Sequence, residues 1–239
     1  MMNNELPEIA SNFLKHVMPI LQSLEDPSVL IYGSTAYGKT SSDLDVCFVC
    51  ESYSNDILEE LKLKTIQFQL ENNMVLDAEV PYENKLIYTY SEIDNTLKFP
   101  PFKYINGKYE LTPIQKNKIY MHSEEMKYRL LLNILTTRSK LIFGNEKRIQ
   151  AYKCIAWEKL IKIIISYNNL TEINITTLLP LLYKDFKTGA EGEMFLGYKK
   201  NIPQKQLDLK EDCSKALLRL QENGYLISAS QDFLKLNVS

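Results

Sequence analysis

Two aspartates two positions apart, Asp43 and Asp45, lie in a run of β-forming residues that includes Leu44, Val46, Phe48 and Val49. Side chains at i and i+2 of a strand share a face, with Cα atoms under ~7 Å apart. Carboxylates that close repel one another unless a cation sits between them, and hard ions such as Mg2+ prefer oxygen ligands of this kind. A pair of metal ions roughly 4 Å apart can clamp the attacking and leaving oxygens of a displacement at phosphorus. Leu44 and Val46 would point to the other face and anchor the strand in a core. Upstream, the apolar run Val29-Leu30-Ile31 ends at Tyr32 and then Gly33-Ser34. Gly33 permits positive φ and close approach of the backbone to a ligand. Ser34 offers a hydroxyl, and the residues after it can open a helix whose free N–H groups suit an anion. Lys39, Thr40 and Ser42, in the loop between the two motifs, are further candidates for phosphate contact.

Gly33-Ser34 followed by Asp43-Leu44-Asp45 resembles the Gly-Ser…Asp-x-Asp signature of the DNA polymerase β-like nucleotidyltransferase superfamily. Its members include aminoglycoside nucleotidyltransferases, toxin-type nucleotidyltransferases and template-independent RNA-tailing enzymes. The match covers residues 31 to 49, with a spacer slightly shorter than in many members. The resemblance implies an α+β fold with a small mixed sheet and flanking helices, two Mg2+ ions, and a nucleoside triphosphate donor, ATP being favoured. Gly33 and Ser34 would contact the donor phosphates. A third carboxylate is implied on a later strand, and the stretch Met74-Val75-Leu76-Asp77-Ala78-Glu79-Val80 supplies two candidates. Asp77 and Glu79 are again i and i+2, so either could face the metals and accept the proton of the attacking hydroxyl. Asp77 is slightly favoured, because Pro81 ends the strand soon after Glu79. The implied metal ligands are then Asp43, Asp45 and Asp77.

The elements that must hold these groups can be read from periodicity. Ile9, Phe13, Val17, Ile20, Leu21 and Leu24 form a helical stripe that stops at Asp26-Pro27. Strands are expected at about 28–32, 43–50 and 74–80. Ser54 reads as the N-cap of a helix through Ile57, Leu58 and Leu61. Asn106-Gly107, between β-formers, signals a hairpin. After about residue 120 the pattern turns mostly helical. Ser123 caps a helix through Leu130, Ile134 and Leu135, a long amphipathic segment runs from about Glu146 to Tyr167, and helices follow near 174–186 and 208–222. Asn223-Gly224 stops the last one. These signals divide the chain into a catalytic domain over 1–118 and a helical substrate-binding domain over 119–239.

Composition narrows the function. The 239 residues are 45% hydrophobic and 24% charged, ordinary for a globular protein. A net charge of -2 argues against unaided binding to long nucleic acid. No secretory leader or membrane span is expected, and the cytoplasm is the expected compartment. Cys47 and Cys50 form a C-x-x-C, but three positions apart on a strand means opposite faces, so neither a shared metal nor a disulfide is expected. Arg129 and Arg138 could reach a triphosphate, although a solvated helix face is the favoured reading of both. Gly189–Lys200 holds three of the eight glycines and suits either a mobile acceptor segment or a plain connection. The expected activity is transfer of a nucleoside monophosphate to a hydroxyl acceptor with release of pyrophosphate. An aminoglycoside-like small molecule is favoured over tRNA or protein as acceptor, and a silent nucleotide-binding module is the alternative from a different class.

Overall fold

Ser28–Ile31 form β1 and Val46–Cys50 form β2, each buried along its whole length. The computed structural model of the chain describes residues 8–36, 44–76, 82–98, 103–105, 108–110, 123–136, 139–187, 209–230 and 233–237. In it β1 and β2 run antiparallel, with Ser28 opposite Val49 and Ile31 opposite Val46. β3 (Ile87–Thr89) lies parallel to β2 on one side. β6 (Lys140–Phe143) lies antiparallel to β1 on the other, which gives a mixed sheet in the order β3-β2-β1-β6. The mixed α/β character and the small sheet agree with the sequence expectation. Strands of three and four residues display too few alternations for their period to emerge, and neither β3 nor β6 was anticipated.

One face of the sheet is set by alternation. Val29 and Ile31 of β1 and Val46, Phe48 and Cys50 of β2 share a core with α1 (Glu8–Leu21) and α3 (Asn55–Glu71). α1 contributes Ala10, Phe13, Val17, Ile20 and Leu21, the stripe expected of it, and α3 contributes Leu61 and Phe68. Phe13 meets the edge of Phe68 at 5.2 Å and the ring of Phe48 at 6.1 Å. Burying one such phenyl ring is worth roughly 1.5–3 kcal/mol. The exposed Lys62–Glu59 pair on α3 is worth at most about 1 kcal/mol, so packing and not surface charge holds this layer. Ser54 caps α3 by accepting from the Ile57 amide at 3.3 Å, as its position predicts. Leu30, Cys47 and Val49 take the intervening positions and are equally buried on the opposite face. α4 (Tyr82–Lys85) and α5 (Tyr90–Lys98) flank β3, and both pack on α6 (Glu124–Thr136). α6 is capped by Ser123, which accepts from the Met126 amide at 3.2 Å.

The chain divides into two compact units, Met1–Phe99 with Lys116–Gln150, and Pro100–Gln115 with Ala151–Ser239. This division differs from the sequence-based boundary at 118/119 in two places: residues 100–115 group with the second unit, and residues 119–150, which carry α6 and β6, with the first. For the second of these the physical reason is the ladder, since β6 completes its hydrogen bonds on β1.

α7 (Glu146–Tyr167) runs from the first unit into the second. The second unit also holds α8 (Ile175–Lys187), α9 (Lys210–Glu222) and two antiparallel pairs. β4 (Lys103–Ile105) and β5 (Lys108–Glu110) pair with Tyr104 opposite Tyr109, as the Asn-Gly signal predicts. β7 (Leu226–Ser228) and β8 (Leu234–Leu236) form a pair that the helical reading of this half did not include. α9 ends where expected: Gly224 takes φ +71°, and the Tyr225 amide returns to the Leu220 carbonyl at 2.9 Å. Among the described residues no helix is long and apolar enough to cross a membrane.

Lys153 on α7 carries a measurable cost. Burial pushes its ammonium down to about 8, against the opposing pull of the Asp212 carboxylate. A folded value below the unfolded one of about 10.4 means that the charged form destabilises the fold. That penalty is complete below about pH 8 and fades as pH rises toward the unfolded value. Lys153→Met should therefore stabilise the second unit near pH 7 by about 1–2 kcal/mol after allowance for solvent screening. Chemical denaturation at pH 7 and pH 10 checks this, and the gain should shrink at the higher pH.

Candidate functional site

The site begins where β1 runs out. After Ile31 the Tyr32 amide still donates to the Asp45 carbonyl at 3.0 Å, carrying the β1–β2 ladder one residue past the strands. Gly33 then takes φ +63°, a left-handed conformation that costs other residues roughly 1–2 kcal/mol. That rotation turns the extended chain into the single helical turn of α2 (Gly33–Ala36). Positive φ at Gly33 and a helical start immediately after it are the features read from the sequence. The backbone of Ser34 lies in this turn.

Asp45 sits at the entry of β2 and is 8% exposed. Its neighbours Leu44 and Val46 both belong to the core shared with α1 and α3. Strand alternation therefore directs Asp45 to the opposite face, the face inferred for the aspartate pair. The expected partners Asp43, Asp77 and Glu79 lie outside the described residues, as do Lys39, Thr40, Ser42, Arg138 and the segment 189–200. The expected strand at 74–80 is described only over Met74–Leu76, which is not part of any strand. Among the described residues no group of three His, Cys, Asp or Glu side chains converges as a metal site, and Asp45 is the one described member of the expected acid set.

Three buried polar residues at this end of the sheet were not singled out from sequence. Ser139 immediately precedes β6, whose Lys140 pairs with Ile31, so Ser139 falls beside the start of the Gly33 turn. Tyr32 is 2% exposed and directly precedes Gly33. Lys85 closes α4 just before β3 and is 7% exposed. A signal for Lys85 existed in its context: a charged residue directly before an apolar run (Leu86-Ile87) is the context of Asp45 as well. It was masked by the shortness of β3.

Arg129 corrects an expectation. It is not on a solvated face but 1% exposed on α6, with Nη2 2.7 Å from Oε1 of Glu125 one helical turn earlier. The apolar stripe through Leu130, Ile134 and Leu135 is wider than its core positions suggested and takes the guanidinium in with it. A buried cation of this kind is tolerated because a carboxylate accompanies it.

The C-x-x-C reading agrees with the structure. Cys50 belongs to the core with α1 and α3 while Cys47 does not, so the two thiols leave opposite faces of β2. Burial raises both thiols, Cys50 to about 11, and leaves them protonated and unreactive at neutral pH. Comparisons of the chain with protein-family models, with curated proteins and with solved structures gave no match.

Proposed function

We propose that the chain is a metal-dependent nucleotidyltransferase of the polymerase β-like fold, moving a nucleoside monophosphate from an NTP to a hydroxyl acceptor. The observation that carries this reading is the pairing of a left-handed Gly33 turn with a buried carboxylate on the adjoining strand, tied together by the Tyr32–Asp45 backbone bond. A phosphate-binding turn and a carboxylate facing the same end of one sheet are what attack at phosphorus needs from a scaffold. Asp45 is a hard oxygen donor and suits Mg2+, with Asp43 two positions earlier and Asp77 or Glu79 as further ligands. Mg2+, when bound, neutralises charge on the phosphates and on the displaced pyrophosphate.

The chain's own groups then have defined tasks. Gly33 and Ser34 bind the β- and γ-phosphates and orient the α-phosphorus. Asp77 or Glu79 accepts the proton of the acceptor hydroxyl as its oxygen bonds to that phosphorus. The bond from the α-phosphorus to the bridging oxygen breaks and pyrophosphate leaves. Positioned proton transfer of this kind contributes about 100- to 10,000-fold, and preorganised charge contributes the larger remainder. A small hydroxyl compound of the aminoglycoside type is the favoured acceptor, since a net charge of -2 suits a cationic small molecule better than a polyanion. Such an enzyme would work in the cytoplasm, where NTPs are available.

Calorimetry with each common MgNTP, followed by incubation of cell extract with α-phosphate-labelled NTP, tests the proposal. Tight binding of at least one MgNTP and label on a small-molecule fraction are the expected results. Label on tRNA or protein would redirect the acceptor assignment. Binding without transfer to anything would favour a silent nucleotide-binding module, and absence of NTP binding would overturn the reading.

A further inference from the structure

We propose that Ser139 holds the terminal phosphate of the donor, on the side of the Gly33 turn away from Asp45, an inference that rests on the nucleotidyl-transfer reading above. Sheet register places it there. β1 lies between β2 and β6 and runs antiparallel to both, so the strand that ends in Gly33 has a strand entry on each side. Ile31 stands opposite Val46 on β2 and opposite Lys140 on β6. One step further along the chain, Tyr32 falls opposite Asp45 on one side and opposite Ser139 on the other. The Tyr32 amide marks the first pairing by donating to the Asp45 carbonyl at 3.0 Å. The irregularity in the β1–β6 ladder lies between Val29 and Leu30, which leaves the Gly33 end in step.

Residues directly opposite one another on antiparallel strands share a face. Asp45, Tyr32 and Ser139 therefore form one row across three strands, on the face away from the core that takes Ile31 and Val46. Lys140, opposite Ile31, belongs to the other face, so β6 adds the Ser139 hydroxyl to this row and not the ammonium. The row is buried along its length, with Asp45 8%, Tyr32 2% and Ser139 6% exposed. Polar contacts made there are shielded from bulk water and gain strength from it. With strands ~5 Å apart, the row measures about 10 Å from end to end, the reach of a triphosphate with a metal contact at one end and a hydrogen bond at the other. A metal on Asp45 marks the α-phosphate end, the Gly33 turn meets the middle of the chain, and the terminal phosphate arrives at Ser139. A serine hydroxyl donates one hydrogen bond without adding charge, so it orients the leaving pyrophosphate without trapping it.

The test compares wild type, S139A, S139T and D45N by calorimetry with MgNTP, with MgNDP and with the free nucleoside. S139A should lose about 10- to 100-fold in affinity for MgNTP, the effect of one hydrogen bond to a charged group, while MgNDP and nucleoside binding stay as in wild type. S139T keeps the hydroxyl and should recover most of the loss. In wild-type protein, MgNTP should slow amide hydrogen exchange across the peptide that carries Ser139 more than MgNDP does; this measurement does not depend on how any variant folds. S139A that binds MgNTP as wild type does while D45N fails would overturn the role of Ser139 and leave the nucleotidyl-transfer reading in place. Equal losses for MgNTP and MgNDP, or equal slowing of exchange by the two, would overturn the assignment to the terminal phosphate. Wild-type protein that binds no MgNTP would overturn both the inference and the reading beneath it.

Discussion

Asp45→Asn should lower turnover roughly 1,000-fold or more and weaken Mg2+-dependent NTP binding while leaving the fold intact. If Asp45 holds a metal as proposed, the magnitude follows from removing one preorganised charge in a water-poor site, where single electrostatic groups are worth about 100- to 1,000-fold, and from the added loss of that ligand. The amide is isosteric, so the 8% exposed pocket around the side chain keeps its volume. The β1–β2 ladder also survives, because the bond from Tyr32 goes to the backbone carbonyl of residue 45 and not to its side chain. Label transfer from NTP measures the first effect, and thermal melting within a few degrees of wild type verifies the second. Near-full activity in this variant would remove Asp45 from the mechanism. Substitution of Asp43 should have the same outcome, since the two share a strand face in the sequence pattern.

Gly144→Ala should strongly destabilise the first unit. Gly144 follows β6 with φ +107°, and an added Cβ would lie 2.3 Å from the Pro27 carbonyl oxygen and 2.5 Å from both Cα and Oγ of Ser28. Two of those three atoms are backbone at the start of β1 and cannot swing aside. The site is also crowded with polar contacts that a shift would break. Ser28 Oγ accepts from the Asn145 amide at 3.0 Å, the Tyr90 hydroxyl donates to the Asp26 carbonyl at 3.1 Å, and Arg148 bridges Asp26 and Glu51. The guanidinium of Arg148 stacks 3.4 Å from the Tyr90 ring centre. Backbone strain and overpacking together cost about 3 kcal/mol or more, which lowers the melting temperature by roughly 6–12 °C for a chain of this size. Gly224→Ala is the control, because φ there is +71° with no described atom within 4 Å of the added Cβ. Conformational strain alone should then cost about 1 kcal/mol. Equal losses in the two variants would show that crowding at Gly144 is not what matters.

Local signals in this chain were strong wherever one element could declare itself. Ser54 and Ser123 cap the helices assigned to them, the α1 stripe packs as spaced, and Asn223-Gly224 stops α9. Each of these features depends on neighbours within about one helical turn, which is the range over which a sequence pattern is direct evidence. β3 and β6 failed that condition. They are three and four residues long, their pairing partners are distant in sequence, and their value lies in where the ladder places them. The same reasoning explains Arg129, whose burial depends on what packs over α6 and not on its own stretch of chain.

By itself the sequence determined the chemistry on offer: a glycine able to turn β1 left-handed, a serine after it, and acids at strand spacing in Asp43-Leu44-Asp45 and Asp77-Ala78-Glu79. Residue type and a period of two suffice for that, because side chains at i and i+2 share a face whichever strands lie alongside. Tertiary structure alone decided which strand ends meet. The parallel pairing of β3 on β2, and the antiparallel pairing of β6 on β1, bring Lys85 and Ser139 to the end of the sheet that holds Gly33 and Asp45. Hydrogen bonds between residues separated by some 40 to 110 positions produce that convergence, and no local pattern encodes it.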